Sequence, residues 1–269
     1  MKKFMALIVV MSVIGVPVRF AWASKDAAGK LSEEAIKILC SEEEEGKEEA
    51  EKQLLETTLS WVGLSSWLEE RPTYVLESGN VSPSQGEELV VAISMGKDNG
   101  MLAVYEKSVD GYEIKQVVDG LVPITDLELL QLPNKMEKAI LIEEFLDEFT
   151  GGYFQVKANS IYVLGDGGIQ RVWMRPIYIM ELYTGTNSDD IHWLMKIESV
   201  DMLYEPKGTI HIEGENTIWR SISPGDFNNS QFEQIERRLI SEHYVWNEGN
   251  KAFKELFEEK MSRGEHNVG

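Results

Sequence analysis

The chain has 269 residues, 46 acidic against 26 basic, and a formal net charge of −20. A surface of that sign repels nucleic-acid phosphate and anionic lipid heads, so DNA or RNA binding is excluded and cations, basic partners or plain solubility remain. Cys40 is the single cysteine, so no intramolecular disulfide can form and ordinary burial must hold the core, which a chain of this length can supply.

At the N-terminus, Lys2 and Lys3 precede a run of apolar or small residues from Phe4 to Val16, then Pro17 and Ala21-Trp22-Ala23. This three-part pattern predicts a signal peptide over 1–23, cut before Ser24. The run is shorter than the ~20 residues of a spanning helix, so no stable membrane span is expected after cleavage. The expected location is secreted or in the cell envelope or periplasm. Loss of Lys2, Lys3 and Arg19 would leave 23 basic residues against 46 acidic ones.

Residues 24–83 read as a polar leader followed by a helical segment. Ser32 is a good N-cap, with Glu33 and Glu34 suited to the positive end of a helix dipole. Ala35, Ile36, Leu39 and Cys40 then share a face, which predicts Cys40 to be a packed small residue. Glu42 to Glu45 and Gly46 interrupt the helix. Consecutive residues point around a helix, so this acidic run reads as a solvated face and not as an ion site. A second helix is predicted from Lys47 to Leu59, with Ala50, Leu54 and Leu55 on one side. Trp61 to Pro83 reads as a transition.

From 84 to 257 the pattern is β-rich. Leu89–Met95, Met101–Lys107 and Tyr112–Val118 are separated by Asn99-Gly100 and Asp110-Gly111, dipeptides that favour tight hairpin turns. Further strands are predicted at Ala139–Phe145, Tyr153–Leu164, Ile169–Met174, Ile177–Tyr183 and Trp193–Ser199. Thr209–Glu213 and Thr217–Arg220 read as a hairpin around Gly214-Glu215-Asn216. His243–Trp246 and Ala252–Phe257 read as another around Asn247–Asn250. Residues 228–241 fit a helix or a strand. Residues 258–269 form a polar tail. The predicted fold is mainly β, with antiparallel hairpins in a propeller-blade-like or open twisted-sheet arrangement and an N-terminal helical segment.

The hairpin segments Gly96–Tyr112 and Tyr244–Phe253, with a weaker echo around Ile161–Trp173, resemble the blade hairpins of secreted bacterial proteins with FG-GAP (integrin-like) β-propeller repeats. The resemblance covers about half of the mature chain. It implies repeated antiparallel hairpins, but not that family's calcium loop. Gly96-Lys97-Asp98-Asn99-Gly100 offers one carboxylate and puts a lysine where a ligand would be needed.

Signatures of catalysis are absent: there is no G-x-S-x-G elbow, no phosphate-binding G-x-x-x-x-G-K-[ST] and no HExxH. His192, His211, His243 and His266 leave open only a site assembled across hairpins. The acids Glu143, Glu144, Asp147 and Glu148 cluster near the end of one predicted strand, and Trp173, Trp193, Trp219 and Trp246 could stack on sugars. Together they are the candidates for a glycosidase-like pair of carboxylates acting on envelope or extracellular polymer. Asp189-Asp190, in an oxygen-rich loop, is the candidate Ca²⁺ site. The leading expectation is an exported, non-catalytic protein that binds a protein or polysaccharide partner.

Overall fold

Ser32 starts the first helix in the computed structural model, which describes residues 19–20, 29–41, 45–83, 86–149, 152–165, 167–184, 192–223 and 231–256. Helix α1 spans Glu33–Leu39 and is capped as expected: the Ser32 hydroxyl accepts the Ala35 N–H at 3.1 Å. Ala35, Ile36 and Leu39 are buried, but Cys40 is exposed. The helix stops at that residue, so Cys40 leaves the apolar face on which the periodicity had set it. Helix α2 spans Lys47–Trp61 and buries Ala50, Leu54, Thr58 and Leu59. A 3-10 turn, Ser65–Glu70, follows.

Strands β1 (Arg19–Phe20), β2 (Lys30–Leu31), β3 (Thr73–Gly79), β4 (Glu88–Met95), β5 (Asn99–Ser108) and β6 (Gly111–Leu121) make the first sheet. Its order is β1-β6-β5-β4-β3, with β2 also on β6. The sequence β4–β5 is apolar without alternation because both faces are covered, the condition under which a strand reads as a continuous hydrophobic run. Leu89, Val91, Ile93 and Met95 pack with Met101, Ala103 and Tyr105 against the helices. Val90, Ala92, Leu102 and Val104 pack on the opposite side against Ile140, Ile142 and Tyr162 of the second sheet. Each fully buried Leu, Ile, Val or Met among them stabilises the fold by roughly 1.5–3 kcal/mol relative to exposure. The helical layer is also fastened by a buried hydrogen bond, Thr58 Oγ1 to Tyr105 Oη at 2.5 Å.

The second sheet comprises β7 (Ile124–Gln131), β8 (Lys138–Phe149), β9 (Tyr153–Gly165), β10 (Gly168–Thr184), β11 (Trp193–Glu205), β12 (Thr209–Ser221), β13 (Phe232–Asn247) and β14 (Ala252–Glu255). These strands pair antiparallel in chain order, and the sheet curls like a half-barrel. The curl brings Leu130, Leu132 and Ala139 from one end onto Ile210, Ile212, Trp246 and Phe253 from the other. Tyr204 of β11 donates its hydroxyl proton to the Gln131 carbonyl at 2.6 Å, across that closure. A mainly β, antiparallel fold with an N-terminal helical segment is therefore what the chain adopts.

Several local expectations need correction. Thr73–Gly79, read as part of a transition, is strand β3, and β7 had no predicted counterpart. The first hairpin turns at Gly96–Asp98, with Asn99 already paired to Met95, because Gly96 takes the positive φ of +64°. The second turns at Val109-Asp110, since Ser108 pairs with Gly111. Thr209–Glu213 and Thr217–Arg220 are not a hairpin but one strand, β12. Gly214 lies opposite Val200 in the ladder, where a Cβ would stand 2.1 Å from the Ser199 carbonyl oxygen. Close approach of the neighbouring strand, not a turn, requires this glycine. Ile169–Met174 and Ile177–Tyr183 likewise form one strand, with a bulge between Pro176 and Tyr178 absorbing the proline. Of the ambiguous stretch 228–241, residues 232–241 are strand, and 228–230 lie outside the described residues.

Candidate functional site

Where the curled sheet nearly closes, β7, β8, β9 and β11 leave a cavity of about 300 Å³. Its apolar wall is Leu127, Leu130, Leu141, Met202 and Tyr204; its polar side is Asp126, Glu128, Glu143 and Asn159. Strand register builds it. Asp126 pairs with Glu143 and Glu128 with Leu141 across β7–β8, while Glu143 pairs with Asn159 across β8–β9. Directly paired residues share a face, with Cβ atoms about 4.5–5.5 Å apart. Three carboxylates thereby meet on one surface of two strands.

Positive charge nearby is already committed. Lys157 reaches Glu143 at 3.0 Å, and the Thr125 hydroxyl donates to the same carboxylate at 2.7 Å. Arg175, next to Asn159 in the ladder, is held elsewhere. Its guanidinium donates to Glu242 through Nε and Nη2 at 3.0 and 2.9 Å, and through Nη1 to Glu198 at 2.8 Å and the Pro176 carbonyl at 2.6 Å. Tyr244 donates to Glu242, and Asn216 to Glu198, completing the network. Bonds to these acids raise the Arg175 pKa above its ordinary value against the opposing effect of burial. Among the described residues, neither Asp126 nor Glu128 has an ion-pair partner; Asp126 accepts only the Leu127 N–H, at 2.9 Å. Burial pushes the Tyr204 phenol up to about 12, so this wall stays uncharged.

Of the four acids singled out on β8, only Glu143 lines the cavity. Neighbours along a strand point to opposite faces. Glu144 accordingly turns into the interface with the first sheet, 7 % exposed, accepting from the Ser160 hydroxyl at 2.7 Å and the Val122 N–H at 3.3 Å. Burial raises its pKa. Asp147 accepts from Tyr153 and Gln155 near the far end of β8, and Glu148 takes the face opposite Asp147. The four side chains do not converge on one point. Trp173 and Trp246 are core residues, whereas Trp193 and Trp219 are half-buried. Asp189 and Asp190 lie outside the described residues.

Sequence reasoning missed Asp126 and Glu128. The alternation Asp126-Leu127-Glu128 was a usable strand signal, obscured by the bulge at Thr125. A second, more open cleft of about 840 Å³ lies between the helices and β3, with Cys40, Glu51 and Tyr74 in its lining. The Tyr74 hydroxyl donates to Glu51 there at 2.8 Å; although Cys40 is exposed at the cleft's rim, partial desolvation and the nearby Glu77 charge raise its thiol pKa, which disfavours a reactive thiolate. Among the described residues no group of three or more His, Cys, Asp or Glu side chains is arranged to hold a metal ion, and no helix is long and apolar enough to cross a membrane. Compared with known protein families, curated proteins and solved structures, the chain matches none.

Proposed function

We propose that this chain is an exported, non-catalytic binding protein whose curled sheet takes a cationic group, an amine or guanidinium on a short apolar stem, into the cavity between β7 and β11. The supporting observation is the imbalance within that cavity: three carboxylates stand beside Leu141, Met202 and Tyr204, and among the described residues Lys157 is the cation bonded to them, through Glu143, while Arg175 is held by Glu198 and Glu242. A few convergent polar groups on an apolar wall are the usual make-up of a small-ligand site. The net charge of −20 would raise the local concentration of such ligands. A lysine or arginine side chain of a partner protein and a free polyamine share this chemistry. Export rests on the leader pattern of residues 1–23.

Calorimetric titration with spermidine and with a short arginine-containing peptide tests the reading. Saturable one-to-one binding is expected, weakened about tenfold or more in the double variant Asp126→Asn, Glu128→Gln, and weakened again between about 20 and about 300 mM salt. Absence of saturable binding, or affinity indifferent to the double variant, overturns it. For export, N-terminal sequencing of the protein from envelope and medium fractions should begin at Ser24. Cleavage there would also remove the short pairing of Arg19–Phe20 with Val118–Asp119.

A further inference from the structure

His211 and His243, thirty-two residues apart in sequence, are directly paired across β12 and β13. Their nitrogens face each other, His211 Nδ1 to His243 Nε2 at 3.1 Å, with ring centroids 4.4 Å apart and planes 80° to one another. The other nitrogen of His211, Nε2, is buried without a hydrogen-bond partner and stands 3.6 Å from Glu205 Oε1. On the other side of His211 the ladder continues to Leu203, which is 61 % exposed, so this face is open to water.

We infer that His211 and His243 form a two-nitrogen chelate for a divalent transition cation of the Zn²⁺ type, with Glu205 as its positioning residue. Two donors on a tetrahedral zinc ion, each about 2.0–2.1 Å from the metal, stand about 3.3–3.4 Å apart. The observed 3.1 Å separation is close to that spacing, and binding turns each ring by about 35° so that its lone pair points at the ion instead of at the other nitrogen. Glu205 beside Nε2 favours a proton on that nitrogen and leaves the Nδ1 lone pair directed at His243. A carboxylate behind a ligating imidazole acts in this way to fix tautomer and orientation.

In the metal-free neutral pair, the His243 Nε2–H donates to His211 Nδ1. Binding moves that proton to His243 Nδ1 and exposes the second lone pair, so the neutral pair takes up the ion without net proton release. Two protein donors leave the remaining positions to water on the open side. This makes the site exchangeable, unlike the closed four-ligand sites that hold structural zinc. The acidic surface draws divalent cations toward it.

The experiment is a Zn²⁺ titration of the full chain at about pH 7.5, followed by the ring proton signals of the histidines. Expected is saturable movement of the His211 and His243 signals together. His192 serves as internal reference, its Nδ1 held 2.7 Å from the Ser221 carbonyl oxygen. His211→Gln or His243→Gln should each weaken binding at least tenfold. Glu205→Gln should weaken it by about tenfold and change which His211 nitrogen carries the proton in the metal-free ring spectrum, because the lost carboxylate no longer fixes the tautomer. Wild-type ring signals that do not move on Zn²⁺ addition overturn the inference, whether or not the variants fold. Affinity unchanged in folded single-histidine variants overturns it as well.

Discussion

At the scale of single residues, Glu144 and Arg175 show how buried charge is handled in the two halves of the molecule. Glu144 lies beneath the junction of the sheets, where burial raises its pKa against the opposing influence of its bonds from Ser160 and Val122 and of the Arg171 charge. The folded protein therefore binds its proton to higher pH than the unfolded chain does. Its contribution to stability is complete below the ordinary carboxyl range and is lost as pH rises through the folded value. Glu144→Gln keeps an acceptor for Val122 and a partner for Ser160 while removing the charge. The variant should melt above wild type at about pH 8, by a margin that shrinks toward about pH 4. A margin independent of pH would show that Glu144 is ionised as easily as an exposed carboxylate. Glu144→Ala, by contrast, orphans both donors and should cost about 1–3 kcal/mol in denaturant unfolding. Arg175 is the opposite case, a cation between two carboxylates whose side chains are 14 % and 22 % exposed. Glu242 is held below the usual carboxylate range chiefly by its bond from Arg175, so this pair stabilises above that range and weakens as pH falls through it. Arg175→Met leaves two half-buried carboxylates facing each other. It should destabilise the neutral protein by about 3 kcal/mol, most of it recovered by adding Glu198→Gln and Glu242→Gln. Additive, unrecovered losses would mean that the arginine acts mainly through its stem.

At the scale of elements, legibility followed burial geometry. The strands β4 and β5 were readable because two covered faces leave an unbroken apolar run, and α1 because Ser32 and the acids after it mark a helix start. Strand β7 was not. Its buried positions Ile124, Leu127 and Leu130 fall three apart, because the bulge at Thr125 puts Leu127 on the face of Ile124 while Leu130 is buried on the opposite face, in the other core. That miss hid Asp126 and Glu128, and with them most of the candidate cavity. The cavity also depends on closure between Gln131 and Tyr204, a contact 73 residues apart that no local pattern encodes. Glycines were legible as glycines but not by role. Gly214 was read as a turn and serves a tight strand approach; Gly111 was read within a turn and begins β6 with φ +130°. A Cβ at Gly111 would stand 2.1 Å from the Leu31 carbonyl oxygen, where β2 joins the sheet. Gly111→Ala should thus cost about 2 kcal/mol or more, from strained backbone and lost β2 pairing together. Hydrogen exchange should show the Leu31 and Tyr112 region opening first; protection equal to wild type there would place the strain elsewhere.

At the scale of the whole molecule, the first sheet belongs to two cores at once, one shared with the helices and one with the second sheet. Neither layer can leave without exposing a face of β4 and β5, so helical and strand signals should melt in one transition. Electrostatics acts on the same scale. Most ion pairs are half-exposed, such as Lys30–Glu113 and Arg220–Glu233, both near 49 % on each side, and exposed pairs contribute about 0–1 kcal/mol apiece. Against them stands the mutual repulsion of 46 acids with only 26 bases to offset it. Salt screens both, but the repulsion spans many pairs and the attractions are few, while Arg175 is buried enough to be screened little. Raising NaCl from about 10 to about 500 mM should therefore raise the melting temperature by several degrees. The same salt should weaken any cationic ligand in the β7–β11 cavity, so stability and affinity are expected to move in opposite directions along one titration. A melting temperature that falls with salt would mean that the ion pairs outweigh the surplus of negative charge. The excess acidity would then have to be localised away from the folded core instead of spread across its surface.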